Sequence, residues 1–247
     1  MTTLVSFDVD GTLITSTSKK SNFLHKMAFA HGLRVCFDLD TNVDVIKHHG
    51  MTDPLILLGV LEHHGISKDK GMEKMKEMEQ VMVTYYKEHL NEAGVGLEIL
   101  PGVKSLLEAL KGRGDVMTCL VTGNLTYIGW AKMEALGIKQ LFTEPYFGGF
   151  GSDFCSGNLT DTWKDRAELV RIAAKKASEI QPGGFKAKFH VGDTPMDVLA
   201  ADSGDATAVG VLTGIYTQDE LEKTGVDGII LKNLEDTSAV LKAMSLS

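Results

Sequence analysis

Two aspartates near the N-terminus have the spacing and the setting of a catalytic or metal-binding pair. In the stretch LVSFDVDGTLIT, Asp8 and Asp10 come at the end of an apolar run that is typical of a buried strand. Residues two apart on a strand point to the same side, so the two carboxylates repel each other unless a positive group lies between them. A bound cation is one group that would hold them together.

Other polar residues follow predicted strands further along the chain. They are Thr122 with Gly123 and Asn124, then Lys164 or Arg166, then Asp193 with Asp197. In open α/β sheets, ligands bind beyond the carboxyl ends of the strands, so these residues and the first two aspartates can meet at one pocket. Carboxylate oxygens suit Mg²⁺, which also takes water and substrate phosphate oxygens. The sequence therefore predicts a Mg²⁺ site at that edge of the sheet.

The elements that must position these residues alternate along the chain after Val116. The strands VMTCLV, AKFHV, ATAVGVL and GIIL are separated by helical segments, which predicts a doubly wound parallel α/β sheet that includes the first strand. Residues 15–96 are different, because charged, Met-rich helical segments fill them and no strand is convincing. We expect a Rossmann-like core of residues 1–14 and 97–247, with a helical cap domain of residues 15–96 inserted after the first strand.

Composition excludes several classes of protein. With 247 residues, 43% of them apolar, the chain can bury a large core. A net charge of -8 argues against nucleic acid as a partner, and three widely spaced cysteines argue against a disulfide framework. No apolar stretch approaches the roughly 20 residues of a membrane helix, and the first residues contain no leader. We expect a cytoplasmic monomer or small homo-oligomer that binds neither nucleic acid nor membrane.

Three motifs resemble those of a known family. DVDGT (8–12), VTGN (121–124) and GDTPMD (192–197) are similar, in order and spacing, to the first, second and fourth motifs of the haloacid dehalogenase superfamily. The resemblance is to its phosphatase branch with a helical C1-type cap, of the phosphoglycolate phosphatase type, and it covers the whole chain. It implies a Mg²⁺-dependent phosphatase that hydrolyses a small phosphorylated metabolite.

The resemblance also implies roles for the aspartates. Asp8 would be the nucleophile that forms an aspartyl-phosphate, and Asp10 would be the general acid and then the base, its backbone carbonyl helping to hold the metal. Asp8 and Asp193 would bind the metal directly, and Asp197 through water. Taken alone, GDTPMD also fits a helix N-cap at Thr194 or Asp193 before a proline.

The remaining motif positions are expected on the substrate side. They are Gly11 and Thr12 of the first motif, and Thr122, Gly123 and Asn124 of the second. The Thr122 hydroxyl would bind phosphate, aided by N–H groups of a helix that starts at Gly123 and Asn124. The third motif departs from the family pattern, because TWKDRAELVRIA lacks the usual Lys-Pro pair. The helix repeat favours Lys164 as the phosphate-facing cation; Arg166 also binds phosphate well, and either could be a solvated charge.

The insert offers weaker candidates. Thr52 and Asp53, in GMTD (50–53), resemble a cap loop that faces the substrate, although a helix N-cap explains them equally well. The pairs His48-His49 and His63-His64 lack partners at metal-ligand spacing and are expected to be surface or satisfied histidines.

Four other functions are possible for a chain with these motifs. The dehalogenases of the family lack the second aspartate, so Asp10 argues against that activity. A phosphomutase would use every residue named for the core. A phosphonatase would need a cap lysine for a Schiff base, for which Lys47 is the candidate. A non-catalytic phosphate-binding module on the same fold is the alternative from another class.

Overall fold

The structure is a computed structural model that describes residues 1–18 and 22–246. Within them, a six-stranded parallel sheet has the order β5-β4-β1-β6-β7-β8. A separate antiparallel ribbon pairs β2 with β3. The strands are β1 (Thr2–Phe7), β2 (Ile14–Ser16), β3 (Leu97–Ile99), β4 (Val116–Thr122), β5 (Gly148–Phe150), β6 (Phe185–Gly192), β7 (Thr207–Val211) and β8 (Ile229–Leu231). The predicted doubly wound α/β fold is confirmed.

Helices cover both faces of the sheet and make up most of the insert. In the insert they are α1 (Phe23–Phe37), α2 (Asp53–His63), α3 (Lys68–Glu73) and α4 (Met75–Glu88). Around the sheet they are α5 (Val103–Lys111), α6 (Thr126–Ala135), α7 (Trp163–Ile180), α8 (Pro195–Ser203), α9 (Gln218–Glu222) and α10 (Thr237–Ala243). Among the described residues, no helix has both the length and the apolar character needed to span a bilayer.

The strand order brings the predicted site residues to one edge. β1 lies between β4 and β6, with Phe7 in register with Leu120 on one side and Val191 on the other. All residues of β1 and β4 are buried, as expected for central strands covered on both faces. Because the three strands are parallel, the residues that follow them, Asp8, Gly123 and Asp193, emerge side by side.

The ribbon joins the two ends of the insert. β2 and β3 pair through Ile14 with Ile99 and Ser16 with Leu97, so the chain leaves the core and returns to it at one place. The sequence predicted no convincing strand within residues 15–96, and β2, which extends to Ser16, corrects this. Three residues give too little period-2 pattern to detect. The division into a core and a cap of residues 15–96 remains a prediction.

The helical insert has its own apolar core, and that core continues into α6. Leu33, Leu57 and Met82 are fully buried in it, and Ile128 of α6 belongs to the same cluster. The opposite face of α6, with Met133, packs in the cluster that covers the sheet. A single helix therefore contributes to both apolar cores.

Candidate active site

Asp8 and Arg166 form the centre of the site. Asp8 directly follows β1 and is 4% exposed, and its Oδ1 lies 3.1 Å from the Arg166 guanidinium. The same guanidinium nitrogen donates to Oδ1 of Asp197 at 2.5 Å. Burial raises the pKa of Asp8, and Arg166 opposes that shift. A buried cation thus holds the predicted nucleophile in place from the side of α7.

Lys164 is not the phosphate-facing cation in this structure. Its side chain is 55% exposed, and its ammonium group pairs with Asp161, three residues before it, at 2.8 Å. The helix starts at Trp163, and its buried face includes Arg166, Val170 and residues further along at helical spacing. Lys164 lies off that face. The preference for Lys164 is therefore corrected, because helix phase turns Arg166 inward.

Asp193 faces Asp8 from the end of β6 and has the chemistry of a metal ligand. One carboxylate oxygen each from Asp8, Asp193 and Asp197 lie within 4.8 Å of one another. Burial, together with the charges of Asp197 and Asp8, raises the pKa of Asp193 to about 8. Oδ1 of Asp193 accepts a hydrogen bond from Thr12 at 3.0 Å, and the carboxylate lines the open cavity. Three carboxylates with one guanidinium leave an excess of negative charge that a divalent cation would neutralise.

Two glycines make room for the Asp193 carboxylate. A Cβ on Gly11, whose φ is +91°, would lie 2.4 Å from Oδ2 of Asp193. A Cβ on Gly214 would also collide with that oxygen. Gly11 therefore shapes the carboxylate cradle, and Thr12, which is fully buried, supports Asp193 and does not line the cavity. The donor set and the room around it fit a divalent cation such as Mg²⁺, and Asp8 and Asp193 as its direct ligands stay a prediction.

Asp197 serves as a support for the site and as a helix cap. Its Oδ2 accepts hydrogen bonds from the Thr194 backbone N–H at 3.0 Å and from the Thr194 hydroxyl at 2.7 Å, in a capping box at the start of α8. Its Oδ1 is taken by Arg166. Burial would raise its pKa, but Arg166 and then His190 hold the pKa well below its usual range. The N-cap interpretation and the site interpretation of GDTPMD are therefore compatible, and the cap residue is Thr194.

Asp10 lies apart from the carboxylate cluster and has its own cation. Lys132 of α6 donates to both oxygens of Asp10, at 3.0 and 2.8 Å. The amide groups of Asn22 and Asn124 each donate one further hydrogen bond at 3.0 Å. Burial would raise the pKa of Asp10, but Lys132 and the two amides outweigh it and hold the pKa well below its usual range. Asp10 is therefore ionised here, and it must gain a proton before it can act as an acid.

The second motif is ordered by its own asparagine. Asn124 donates from Nδ2 to the Thr122 hydroxyl oxygen at 2.8 Å, and its Oδ1 accepts from Lys132 at 2.9 Å. The Thr122 oxygen also accepts from the Asn124 backbone N–H at 3.4 Å, so the hydroxyl hydrogen stays available for a phosphate oxygen. The predicted helix start is corrected, because α6 begins at Thr126 and Asn124 lies in the loop before it.

The start of α2 and the residues just before it contact the second motif. The Asp53 backbone N–H donates to the Gly123 carbonyl oxygen at 2.8 Å, and the Asp53 carboxylate accepts from the Leu125 N–H at 2.9 Å. His25 of α1 contacts the same carboxylate oxygen at 2.9 Å. A Cβ on Gly123 would lie 2.5 Å from the Met51 carbonyl oxygen, so this close approach requires glycine. Asp53 thus joins the start of α2 to the loop before α6. It also lines the cavity, so its expected place on the substrate side stays a prediction.

Thr52 occupies the N-cap position of α2 without making the cap hydrogen bond. Its side chain is fully buried, and its hydroxyl oxygen has no hydrogen-bond partner among the described residues. It does not line the cavity. The structure therefore gives no contact by which Thr52 would meet a substrate.

The site opens into a cavity of about 710 Å³ between the sheet edge and the insert. Asp8, Asp10, Thr122 and Asp193 line its core side. The side of the cavity that the insert forms carries Phe29 and Ile56. Beside them lies a set of basic and acidic groups: His25, Lys26, Asp44, His48 and His49. The rings of His48 and His49 stack with their centroids 5.1 Å apart. A small phosphorylated molecule fits a cavity of this size.

Comparison with known proteins agrees with this geometry. The family model for haloacid dehalogenase-like hydrolases matches residues 2–205. The chain belongs to this family. It is 27% identical over 241 residues to a protein of Caldanaerobacter subterraneus subsp. tengcongensis that is named as a pyrophosphatase, PpaX, covering 97% of this chain and 93% of that protein.

Solved structures show that the fold extends over the whole chain. A hydrolase from Pseudomonas syringae superposes with a TM-score of 0.63 at 22% identity, covering 98% of each chain. An archaeal beta-phosphoglucomutase from Pyrococcus superposes with a TM-score of 0.52 at 14% identity, covering 100% of each chain. At these identities the likeness is one of fold. The expected haloacid dehalogenase-like hydrolase with a Rossmann-like core is confirmed.

Lys132 and His190 are among the residues that contact the site but were not predicted from the sequence. Lys132 lies in a stretch, YIGWAKMEAL, whose other residues are mostly apolar, and a lysine in such a helix needs an acidic partner. His190 is fully buried behind the site, with Nδ1 3.1 Å from the Ser6 hydroxyl and Nε2 3.4 Å from Asp197. Nothing in the spacing of His190 distinguishes it from a core residue of β6.

Proposed function

We propose that this hydrolase is a Mg²⁺-dependent phosphatase that hydrolyses a small phosphate monoester through an aspartyl-phosphate on Asp8. The observation that supports it is the arrangement of Asp8: a carboxylate that opens on the cavity, beside Arg166 at 3.1 Å and within metal-bridging reach of Asp193. This arrangement suits in-line attack on phosphorus, because cations flank the position where negative charge develops.

The residues divide the reaction between them. An Asp8 oxygen attacks phosphorus while the bond from phosphorus to the leaving oxygen breaks. Arg166 and the Thr122 hydroxyl bind the oxygens of the transferring group, and Asp8 with Asp193 would hold the metal. Mg²⁺, when bound, neutralises charge on the phosphoryl group. The backbone carbonyl of Asp10 as a further ligand, and Asp197 as a water-mediated one, remain predictions.

Asp10 would serve the second half of the reaction. Water attacks the aspartyl-phosphate, Asp10 takes the proton from that water, and Asp8 is released as a carboxylate with inorganic phosphate. A protonated Asp10 can then give its proton to the leaving oxygen of the next substrate. Leaving groups that are weak bases need this proton least, and pyrophosphate, whose leaving group is phosphate, belongs in the substrate panel beside alkyl and aryl phosphates.

The alternatives make different products. A phosphomutase would convert a sugar 1-phosphate to its isomer and release little phosphate. A phosphonatase would need a lysine of the insert free to form a Schiff base. Lys47 is exposed and does not line the cavity, and Lys26, which does line it, is paired with Asp44 at 2.7 Å. A binding module would take up a phosphorylated ligand without turnover.

One assay separates these functions. Phosphate release is measured on the panel with Mg²⁺, with EDTA, and with Asp8→Asn, while sugar phosphates are followed by NMR for isomerisation. We expect Mg²⁺-dependent phosphate release that Asp8→Asn abolishes. Activity in EDTA would refute the metal requirement, isomerisation without phosphate release would show a mutase, and binding without turnover would show a binding module.

A further inference from the structure

Lys132 contacts Asp10 more extensively than any other group does. Only 1% of the Lys132 side chain is exposed, whereas 35% of the Asp10 side chain is. The ammonium group donates to both Asp10 oxygens and to the Asn124 side-chain oxygen, at 2.8 to 3.0 Å. Lys132 does not line the cavity, so a substrate meets Asp10 and not the lysine behind it.

The four hydrogen bonds to Asp10 fill its acceptor sites. Oδ1 accepts from Lys132 and Asn22, and Oδ2 accepts from Lys132 and Asn124. A carboxylate has about four lone-pair sites. A water molecule or a leaving oxygen can therefore hydrogen-bond to an Asp10 oxygen only after one of these four donors has moved away.

The donors differ in their freedom to leave. Lys132 is buried, and removing its ammonium group from Asp10, the only carboxylate that it contacts among the described residues, is costly. Asn124 is tied to Thr122 as well. Asn22 lines the cavity, lies just before α1 of the insert, and its own Oδ1 has no hydrogen-bond partner among the described residues. Asn22 is therefore the donor that a reacting group can replace most readily.

We propose that Lys132 is a positioning residue that anchors the Asp10 carboxylate, and that Asn22 occupies the hydrogen-bonding site on Asp10 that the reacting oxygen later takes. The inference rests on the proposed phosphatase function and assigns Lys132 to it. Among the described residues, the Lys132 ammonium group donates only to Asp10 and Asn124, and Asn124 itself donates to Asp10, so we expect Lys132 to act through the Asp10 carboxylate. A fixed carboxylate meets the reacting oxygen in one orientation, which is a large part of what a proton-transfer group contributes.

A double-mutant cycle tests the anchor. Lys132→Met keeps the length and apolar stem but removes the three hydrogen bonds. We expect kcat to fall by about 100-fold with KM changed by less than about threefold. Asp10→Asn should lower kcat at least as much, and the double variant Asp10→Asn with Lys132→Met should be no slower than Asp10→Asn alone. Losses that multiply in the double variant would overturn the proposal, because Lys132 would then act independently of Asp10.

The pattern across substrates gives a second readout that a purely structural lysine would not change. Rates are measured on an alkyl phosphate that the wild type hydrolyses and on p-nitrophenyl phosphate. The loss of rate on the alkyl phosphate divided by the loss of rate on p-nitrophenyl phosphate should be the same for Lys132→Met as for Asp10→Asn. Asn22→Ala should cost only about fivefold, since one hydrogen bond is lost and the anchor remains. A loss as large as that of Lys132→Met would refute the division between anchor and exchangeable donor.

Controls separate the failure of this inference from the failure of the function. Lys139→Met removes the exposed ion pair with Glu134 at the end of α6, at 2.7 Å, and should leave kcat unchanged. If the wild type turns over and Asp8→Asn does not, but Lys132→Met matches the wild type, only the role of Lys132 is refuted. If the wild type turns over no substrate, both proposals fall. If Lys132→Met does not fold, Lys132→Gln replaces it, and failure of both to fold would show that Lys132 serves the fold itself.

Discussion

The two aspartates of the first motif lie two residues apart, yet their surroundings differ in charge balance. Asp8 shares one guanidinium with Asp197 and faces Asp193, so three carboxylates have a single buried cation. Asp10 accepts hydrogen bonds from two amides and from an ammonium group that contacts no other carboxylate among the described residues. The first cluster is short of positive charge and is built to receive a cation, whereas the second is complete within the chain. Charge balance therefore distinguishes the metal and phosphate side of the cavity from the proton-transfer side.

The largest expected effect comes from removing the nucleophile of the Asp8, Asp193 and Asp197 cluster, which is short of positive charge. Asp8→Asn keeps the size of the side chain but cannot form an aspartyl-phosphate, so turnover should fall to background for every substrate. Mass spectrometry of wild type quenched during turnover should find a phosphorylated peptide that contains Asp8, and the same peptide from Asp8→Asn should be unmodified. Residual turnover by a folded Asp8→Asn variant would contradict the assignment.

Arg166 and Lys164 form a matched pair for the next effect. Arg166→Ala removes the only guanidinium of the cluster and should lower kcat/KM by about 100- to 1000-fold, because it acts on the charge of the transferring group. Lys164→Ala removes an exposed ion pair and should change kcat/KM by less than about twofold. Both are assayed with saturating Mg²⁺ after circular dichroism has shown that they fold. The opposite ranking would restore Lys164 as the phosphate-facing residue.

Because the same three carboxylates are short of positive charge, we expect the stability of the metal-free protein to depend on pH. Burial and neighbouring carboxylates raise the pKa of Asp193 to about 8, above its ordinary value of 3.8. The folded state therefore binds a proton on Asp193 more tightly than the unfolded state does. The stability that this bound proton contributes is lost as pH rises from about 4 towards 8. In EDTA, the melting temperature should be lower at pH 8 than at pH 6.

Adding Mg²⁺ should reverse that trend. At about 100 times its Kd, Mg²⁺ should raise the melting temperature by about 5 to 10 °C at pH 8, and by less at pH 6, where protons compete for the carboxylates. Asp193→Asn is the control. It should lose the response to Mg²⁺ and show a weaker fall in stability with pH. An equal Mg²⁺ response in wild type and Asp193→Asn would refute the metal site.

The smallest effects concern the cap loop, where neighbouring residues have opposite environments. Asp53→Ala removes a carboxylate bonded to His25 and to the Leu125 N–H, and should lower the free energy of unfolding by about 1 to 3 kcal/mol. Thr52→Val replaces an unpartnered buried hydroxyl with a methyl group of the same shape, and should be neutral or slightly stabilising. Urea unfolding measures both. A rise in KM for Thr52→Val would show that this hydroxyl meets the substrate after all.

The fold and the carboxylate positions could be predicted from sequence because they depend on local patterns. An apolar run followed by Asp8, or β6 followed by Asp193, places each residue at a strand end, and parallel strands bring those ends together. The choice between Lys164 and Arg166 depended on helix phase, and the buried positions Val170, Ala173 and Ala177 carry that phase in the sequence. The motif alone could not decide it.

Other parts of the site depend on contacts between distant segments. Asp53 meets Leu125 across 72 positions, and Lys132 meets Asp10 across 122. No periodicity encodes such a pairing. A lysine within an apolar helix indicates that a partner exists, but only packing identifies Asp10 as that partner.

Helix α6 has a consequence for how the molecule unfolds. Its Ile128 is part of the apolar core of the insert, while its Met133 is part of the core that covers the sheet. If either core unfolded alone, one face of α6 would lose its packing partners while the other face was still packed in the remaining core. The two cores should therefore lose structure together, in a single cooperative transition by calorimetry, and protection of the α6 amides from hydrogen exchange should match that of the central strands.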